Sequence, residues 1–238
     1  FISSHDGIGI RPTEGIFNKK VLNNFLKRLK KNGSKFSYRK VKNKSKKVYE
    51  ANITVFDALK KTDYDSKGKF FLERYVSAHS IMISFEGIPA IYFNSLFGKS
   101  NDEAKYIITG NNRDVNRYKW NYKNISKKLS NKNSKQSIFF QKISNLLSIR
   151  RKQKAFHPNA ARHNINLGSK IFSFKRISIN KKQTVICITN LSSKIQGASL
   201  NKIYHNWTNL IGSKIEIKNK LLILKPFETI WLSNNHDS

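Results

Sequence analysis

The stretch Phe1-Ile-Ser-Ser-His-Asp-Gly-Ile-Gly9 decides how the rest of the chain is read. An apolar residue leads into small polar ones. A His-Asp pair then stands where a strand would give way to a loop, followed by two glycines one residue apart. Loops at strand ends carry chemistry because a rigid sheet positions them while their backbone stays accessible. Gly7 and Gly9 permit a sharp turn or close approach to a ligand. Taken alone, His5-Asp6 reads as a loop turn with a solvated carboxylate. The motifs that follow, and their spacing, give it weight.

The chain has 238 residues, enough for one large or two modest domains with real cores. It opens on Phe, within an expected strand end, so the sequence is expected to be the C-terminal part of a longer protein. Lys and Arg number 46 against 14 Asp and Glu, a formal net charge of +32. Such a balance is the electrostatic footprint of a nucleic-acid binder. Lys, Asn, Ile and Ser are all abundant together, however, and the basic residues run along the whole chain without an aromatic RNA-binding signature or zinc-finger spacing. Compositional bias accounts for the charge better, and only nonspecific polyanion binding at low salt is expected. The single cysteine, Cys187, excludes an internal disulfide and reads as a small buried thiol in a β-branched run. It suits a reducing, cytoplasmic setting. No apolar run approaches the roughly 20 residues that span a membrane.

Along the chain, residues 7 to 68 are polar and irregular. Within them Ile16 to Leu29 has the apolar spacing of one amphipathic helix, and Phe36 to Lys47 reads as a basic surface loop. Val48 to Leu59 returns to an ordered pattern, within which Tyr49 to Asp57 reads as a plain strand and turn on a satellite core or, by the resemblance given below, as a lid segment. Lys69 to Ser84 reads as a helix in which His79 is a satisfied core histidine, and Pro89 to Asn94 as a short buried strand. Gly110-Asn-Asn-Arg-Asp-Val-Asn-Arg117 gathers fixed polar groups. Arg113 and Arg117 offer forked donors that Asp114 can hold, which suits a sugar site or a surface ion-pair cluster. Ser134 to Phe156 reads as a second long helix. From Ile165 the pattern turns to short strands, at Ile171 to Ile177, Thr184 to Thr189, Lys214 to Lys218 and Leu221 to Leu224. Trp207 and Trp231 read as packing residues. No zinc-like or calcium-loop spacing appears.

The stretch His5 to Gly15, with Gly87-Ile-Pro-Ala-Ile-Tyr92, the Arg-Asp-x-Asn-Arg cluster and the phrase Arg150 to Pro158, resembles the α-amylase family, glycoside hydrolase family 13, in its sucrose phosphorylase-like subfamily. The resemblance runs almost end to end. It implies an α/β fold: the C-terminal part of a (β/α)8 barrel over residues 1–160, comprising about the last two βα units, with 7–68 an inserted subdomain and lid. A small all-β C-terminal domain over 165–238 follows. It also implies part of an α-glucosyl phosphorylase, which transfers glucose from sucrose or glucosylglycerate to phosphate by a retaining double displacement. Asp6 would then be the carboxylate that stabilises the transition state, His5 and Arg113 would hold the glucose, and Arg117 would support Arg113. Tyr49 and Glu50 would come from the lid. The nucleophile and general acid would belong to earlier barrel strands, leaving this piece inactive alone. Inorganic phosphate is the implied co-substrate, with no cofactor and no metal.

Candidate donors are sucrose, sucrose 6′-phosphate, glucosylglycerol and glucosylglycerate. Arg11 to Gly15 and Asn52 to Leu59 look more like the glucosylglycerate type, and Arg11 could pair with a glycerate carboxylate. A hydrolase or transglucosidase of the same family, a non-catalytic polyanion binder and an inactive remnant remain the competing readings.

Overall fold

A computed structural model describes residues 1–41, 45–200, 206–212 and 215–234. In chain order these form β1 (Ile8–Gly9), a 3-10 turn (Arg11–Thr13), α1 (Lys19–Lys31), β2 (Lys35–Lys40), β3 (Lys46–Asn52), α2 (Val55–Lys60), α3 (Phe71–Ser84), α4 (Phe93–Leu96), α5 (Glu103–Thr109), a second 3-10 turn (Asn112–Asn116), α6 (Tyr122–Ser130) and α7 (Lys135–Lys152). A 3-10 turn (Lys154–Phe156) then leads to β4 (Ala161–Ile165), β5 (Ile171–Ile177), β6 (Thr184–Asn190), β7 (Gln196–Ser199), β8 (Thr208–Asn209), β9 (Ile217–Lys218), β10 (Leu221–Leu224) and β11 (Thr229–Ser233). The chain divides into two compact units, one of residues 1–71 and 90–141, the other of residues 72–89 and 142–238.

The first unit is built on a three-stranded antiparallel sheet, β1-β3-β2, backed by α1. Ile8 pairs with Ala51 and Phe36 pairs with Ala51 from the other side. Ile10, Leu29, Ala51 and Ile53 form its buried core, with Leu22, Phe25, Leu26 and Phe36 packed against it. The helix expected over Ile16 to Leu29 is present but begins at Lys19, because the Asn18 side chain accepts a hydrogen bond from the Val21 amide and caps it there. Ile16 and Phe17 stay exposed.

The basic segment Phe36 to Lys47 is not a loop, as its charge suggested. Its described residues form the β2–β3 hairpin, and Lys42 to Lys44 lie outside the described residues. Alternation outweighs charge here. Phe36 faces the core, while the aliphatic stems of the lysines tolerate a strand's outer face.

The strand expected over Pro89 to Asn94 is also corrected. The segment has no regular structure up to Tyr92, which is extended, and joins no ladder; Phe93 is exposed, and α4 starts there. A barrel strand needs neighbours on both sides. Every strand pair among the described residues is antiparallel, and none involves this segment. The parallel strands implied for residues 1–160 are therefore not formed among the described residues, and Phe1 to Gly7 contributes only an isolated bridge between Ser4 and Gly7.

The second unit packs a five-stranded antiparallel sheet, β4-β5-β6-β11-β8, against a three-stranded one, β7-β10-β9. Ile186, Ile188, Ala198, Leu222, Leu224, Ile230 and Leu232 fill the core, with Trp207 against it. From Val185 to Asn190 the central strand β6 is buried on both faces, and Cys187 lies within it, its thiol pushed up to about 12 by burial. Trp231 is fully buried and meets Phe156 edge to face at 4.9 Å. Both tryptophans thus pack, as their place in the sequence suggested. The strand expected from Lys214 is found at Ile217–Lys218, with Lys214 itself outside the described residues.

The helical part of this unit supplies Tyr75, His79 and Ile83, all buried. Two arginines staple its carbonyls. Arg150 donates to the carbonyls of Ile83 and, at 2.9 Å, Gly87. Arg176, fully buried, donates to those of Ser84 at 2.7 Å, His157 at 2.8 Å and Ala160 at 3.2 Å. Those at Ile83 and Ser84 are the orphan acceptors of a helix end.

Candidate active site

The first unit brings most of the sequence-marked residues together around Asp6. The Asp6 turn is locked by its own backbone, through Ser4 N–H to Gly7 O at 3.0 Å and Gly7 N–H to Ser4 O at 3.2 Å. Gly7 has φ +128°, and a Cβ there would lie 2.2 Å from the Ala51 carbonyl oxygen. Only glycine lets the turn lie this close to β3. Two buried asparagines brace the turn from outside. Asn116 Nδ2 donates to Ser4 O at 2.7 Å, and Asn52 Nδ2 donates to Asp6 O at 2.9 Å.

Arg113 and Arg117 converge on the Asp6 carboxylate. Arg117 Nη2 donates to Oδ1, and Arg113 Nη1 lies 3.5 Å from Oδ2. Arg113 stands on the 3-10 turn after α5, where the Asn111 side chain accepts from its amide at 3.1 Å. Its Nε donates to Glu50 Oε2 at 3.1 Å and its Nη2 to the Tyr49 hydroxyl at 3.4 Å. The Glu50 hydrogen bond, with the charges of Glu50 and Asp6 beside it, holds the Arg113 guanidinium above its ordinary pKa. His5 Nε2 lies 3.2 Å from Asp6 Oδ1. His5, Asp6, Tyr49, Glu50, Arg113 and Arg117 therefore form one cluster.

Arg11 does not join it. It lies exposed on the first 3-10 turn, beside Glu14, whose carboxylate is lowered by the Arg39 hydrogen bond. Asp114 does not clamp either arginine, as its place between them suggested. It lies 3.2 Å from Lys105 Nζ, and hydrogen bonds from Thr109 and then Lys105 lower its pKa. Lys105, on α5, takes the Asp114 carboxylate, while the two arginines turn to Asp6.

The segment expected as a lid, Tyr49 to Asp57, splits. Residues 50 to 57 are buried, as a strand and turn on a satellite core would be, while Tyr49 and Glu50 reach the cluster. Asp57, raised in pKa by burial, accepts from the Asn101 amide at 2.6 Å and ties the segment to the loop before α5.

Sequence reasoning missed Asn52, Asn94, Asn116 and Tyr92. Tyr92 OH donates to Asn116 O at 2.8 Å, and Asn94 bridges the Asn116 and Tyr118 carbonyls. Only an excess of asparagine beside Arg113 hinted at them, and asparagine is common throughout this chain.

Chemically, the cluster is a carboxylate fixed by two guanidiniums. His5 and parts of both arginines stay open to solvent. Such a surface can donate forked hydrogen bonds to a polyol while presenting a negative charge at one point. Glu50, the other carboxylate, is taken up by Arg113 and Asn52.

No family model matches the sequence. The chain is 28% identical over 236 residues to the glucosylglycerate phosphorylase of Escherichia coli (strain K12), covering 98% of this chain and 40% of that protein. It is 29% identical over 192 residues to the glucosylglycerate phosphorylase of Spirochaeta thermophila, covering 81% and 32%. A sucrose phosphorylase of Agrobacterium vitis is 28% identical over 127 residues, covering 53% and 23%. This chain thus spans about two fifths of the length of the first of these relatives.

Among solved structures, sucrose 6F-phosphate phosphorylase from Thermoanaerobacter thermosaccharolyticum superposes with a TM-score of 0.64 at 21% identity, covering 79% of this chain and 35% of that one. Trehalose-6-phosphate hydrolase from Bacillus licheniformis gives 0.52 at 14%, covering 71% and 40%. The fold is similar to part of these α-amylase-family enzymes. Within that family, the sequence similarity is to the sucrose phosphorylase-like branch, and to its glucosylglycerate phosphorylases over nearly the whole of this chain.

Proposed function

We propose that this chain is the C-terminal portion of an α-glucosyl phosphorylase, with residues 1–160 completing a (β/α)8 barrel, 7–68 its inserted subdomain and 165–238 its β-domain. The observation that carries the reading is Asp6 held between Arg113 and Arg117, with His5 beside it. In the reaction, a carboxylate nucleophile attacks the anomeric carbon of the glucoside while a general acid protonates the leaving oxygen. A glucosyl-enzyme forms, and a phosphate oxygen then displaces the carboxylate to give α-glucose 1-phosphate with retention. Both transition states carry positive charge on the sugar. Asp6, its carboxylate fixed between two guanidiniums, stabilises that charge only while it exists. Arg113 and His5 grip the glucose hydroxyls, and Arg117 keeps Asp6 from turning.

Neither the nucleophile nor the general acid falls on a residue of this chain by resemblance, so the 238 residues alone are inactive on this reading. Phosphate is a co-substrate, no cofactor or metal takes part, and the enzyme works in the cytoplasm on a small sugar. Among the described residues no helix is long and apolar enough to cross a membrane.

Glucosylglycerate is the favoured donor, supported by the relatives of that name. Arg11 then serves the glycerate carboxylate from the lid. Its exposed place on the first 3-10 turn leaves its guanidinium open to solvent, where an anion can reach it.

The test is release of α-glucose 1-phosphate from glucosylglycerate, sucrose, sucrose 6′-phosphate and glucosylglycerol by the complete protein that carries this chain. Asp6→Asn should lower kcat by about two to three orders of magnitude, the cost of losing one preorganised electrostatic group. No product from any of the four glucosides would overturn the reading.

A further inference from the structure

We propose that Asn52 is a positioning residue that sets the Asp6 turn and the Arg113 guanidinium relative to one another from a single buried amide. This rests on the reading of Asp6 and Arg113 given above. Asn52 closes β3 and is fully buried. Its Nδ2 donates both to the Asp6 backbone carbonyl, at 2.9 Å, and to Glu50 Oε2, at 2.8 Å. Its Oδ1 accepts from Ser37 Oγ at 2.8 Å. Both N–H bonds are therefore spent on oxygens that can only accept, and the carbonyl on a hydroxyl that can donate. The amide has one workable orientation. Turned over, its oxygen would face a carbonyl and a carboxylate.

The partners are what separate this residue from an ordinary buried polar group. One N–H pins the backbone of the proposed transition-state carboxylate, and the other pins Glu50 Oε2, the atom that receives Arg113 Nε at 3.1 Å. Arg113 in turn meets Asp6 Oδ2. The Asp6–Arg113–Glu50 arrangement thus closes on itself through Asn52, with no part of Asn52 reaching the open face. Ser37, on the neighbouring strand β2, orients the amide at the irregularity in the β2–β3 register. Aspartate would place a third carboxylate against Glu50 and the Asp6 carbonyl, and serine is too short to span both. In a water-excluded pocket each unmade bond costs its full desolvation.

The test uses the complete protein with Asn52→Asp, which preserves shape, and Ser37→Ala, which only releases the amide. Two readouts are taken beside a thermal melt: phosphorolysis kinetics, and site-resolved modification of arginines by phenylglyoxal followed by mass spectrometry. Asn52→Asp should lower kcat by about tenfold or more, as small misplacements of a catalytic group do, with a smaller change in KM for phosphate. Arg113 should be modified several times faster, while Arg39, paired with Glu14 elsewhere in the same unit, keeps its rate. Ser37→Ala should move both readouts the same way by less.

Unchanged Arg113 modification would overturn the proposal, and so would equal acceleration at Arg39, which would report general loosening. If the unaltered protein shows no phosphorolysis, the functional reading fails, yet the modification rates still decide the role of Asn52. If Asn52→Asp does not fold, Ser37→Ala decides it alone, an unchanged Arg113 rate counting against.

Discussion

Each unit of this protein contains a pair of arginines doing opposite work. In the first, Arg113 and Arg117 are partly exposed and meet carboxylates, and Arg113 is held above its usual pKa by Glu50. In the second, Arg150 and Arg176 donate to backbone carbonyls and lie over the Phe156 ring, and burial pulls both below the usual value. One pair presents a charged surface, whereas the other closes off helix and loop ends with a cation as a many-pronged donor. The same side chain serves recognition where water reaches it and architecture where it does not. Which of the two it does depends on its neighbours and not on the residue itself.

The largest effect should come from breaking the architectural pair. Arg176→Ala takes a donor from the carbonyls of Ser84, His157 and Ala160 inside the second unit, of which His157 keeps the Ala160 amide, and should destabilise it by about 3 kcal/mol or more. A urea melt of the complete protein measures this, and a loss under 1 kcal/mol would erase the contrast.

Next comes pH. His79 is fully buried, with Nδ1 2.9 Å from the Tyr75 carbonyl, and burial lowers its pKa from 6.5 to about 4. Because the folded value lies below the unfolded one, the unfolded chain binds the proton more readily between them. The neutral ring's stability is fully present above about pH 6.5 and drains away as pH falls toward 4, by on the order of 3 kcal/mol. His79→Gln should flatten that part of the stability profile, as melts from pH 7 to 4 would show.

The smallest effect on stability belongs to the recognition pair. Arg113→Ala breaks a partly exposed ion pair and should cost no more than about 1 kcal/mol. In the complete protein it should still raise KM for the glucoside markedly. Comparing its melt with that of Arg176→Ala tests whether the two pairs differ as the structure says.

Legibility followed local pattern. The helices Lys19–Lys31, Phe71–Ser84 and Lys135–Lys152, the last stopping short of the expected Phe156, the strands at Ile171–Ile177 and Leu221–Leu224, the core role of His79 and the inert burial of Cys187 could be read directly, since spacing, caps and β-branched runs act over a few residues. The hairpin through Lys35–Lys40 was hidden because charge masked its alternation. Pro89 to Asn94 misled in the other direction. Its apolar composition suits a buried strand, but a ladder needs partners that composition does not supply.

For the site, the sequence by itself determined which residues are able to act: a His-Asp pair before glycines, and an arginine pair more than a hundred positions later. Their resemblance to a known family joined the two. Only the tertiary structure decided that Glu50 and not Asp114 holds Arg113, that Arg11 stands apart, and that Asn52 and Asn116 brace the Asp6 turn. Hydrogen bonds reach about 3 Å whatever the distance along the chain. Between residues far apart in sequence, they become visible only when the fold brings the groups together.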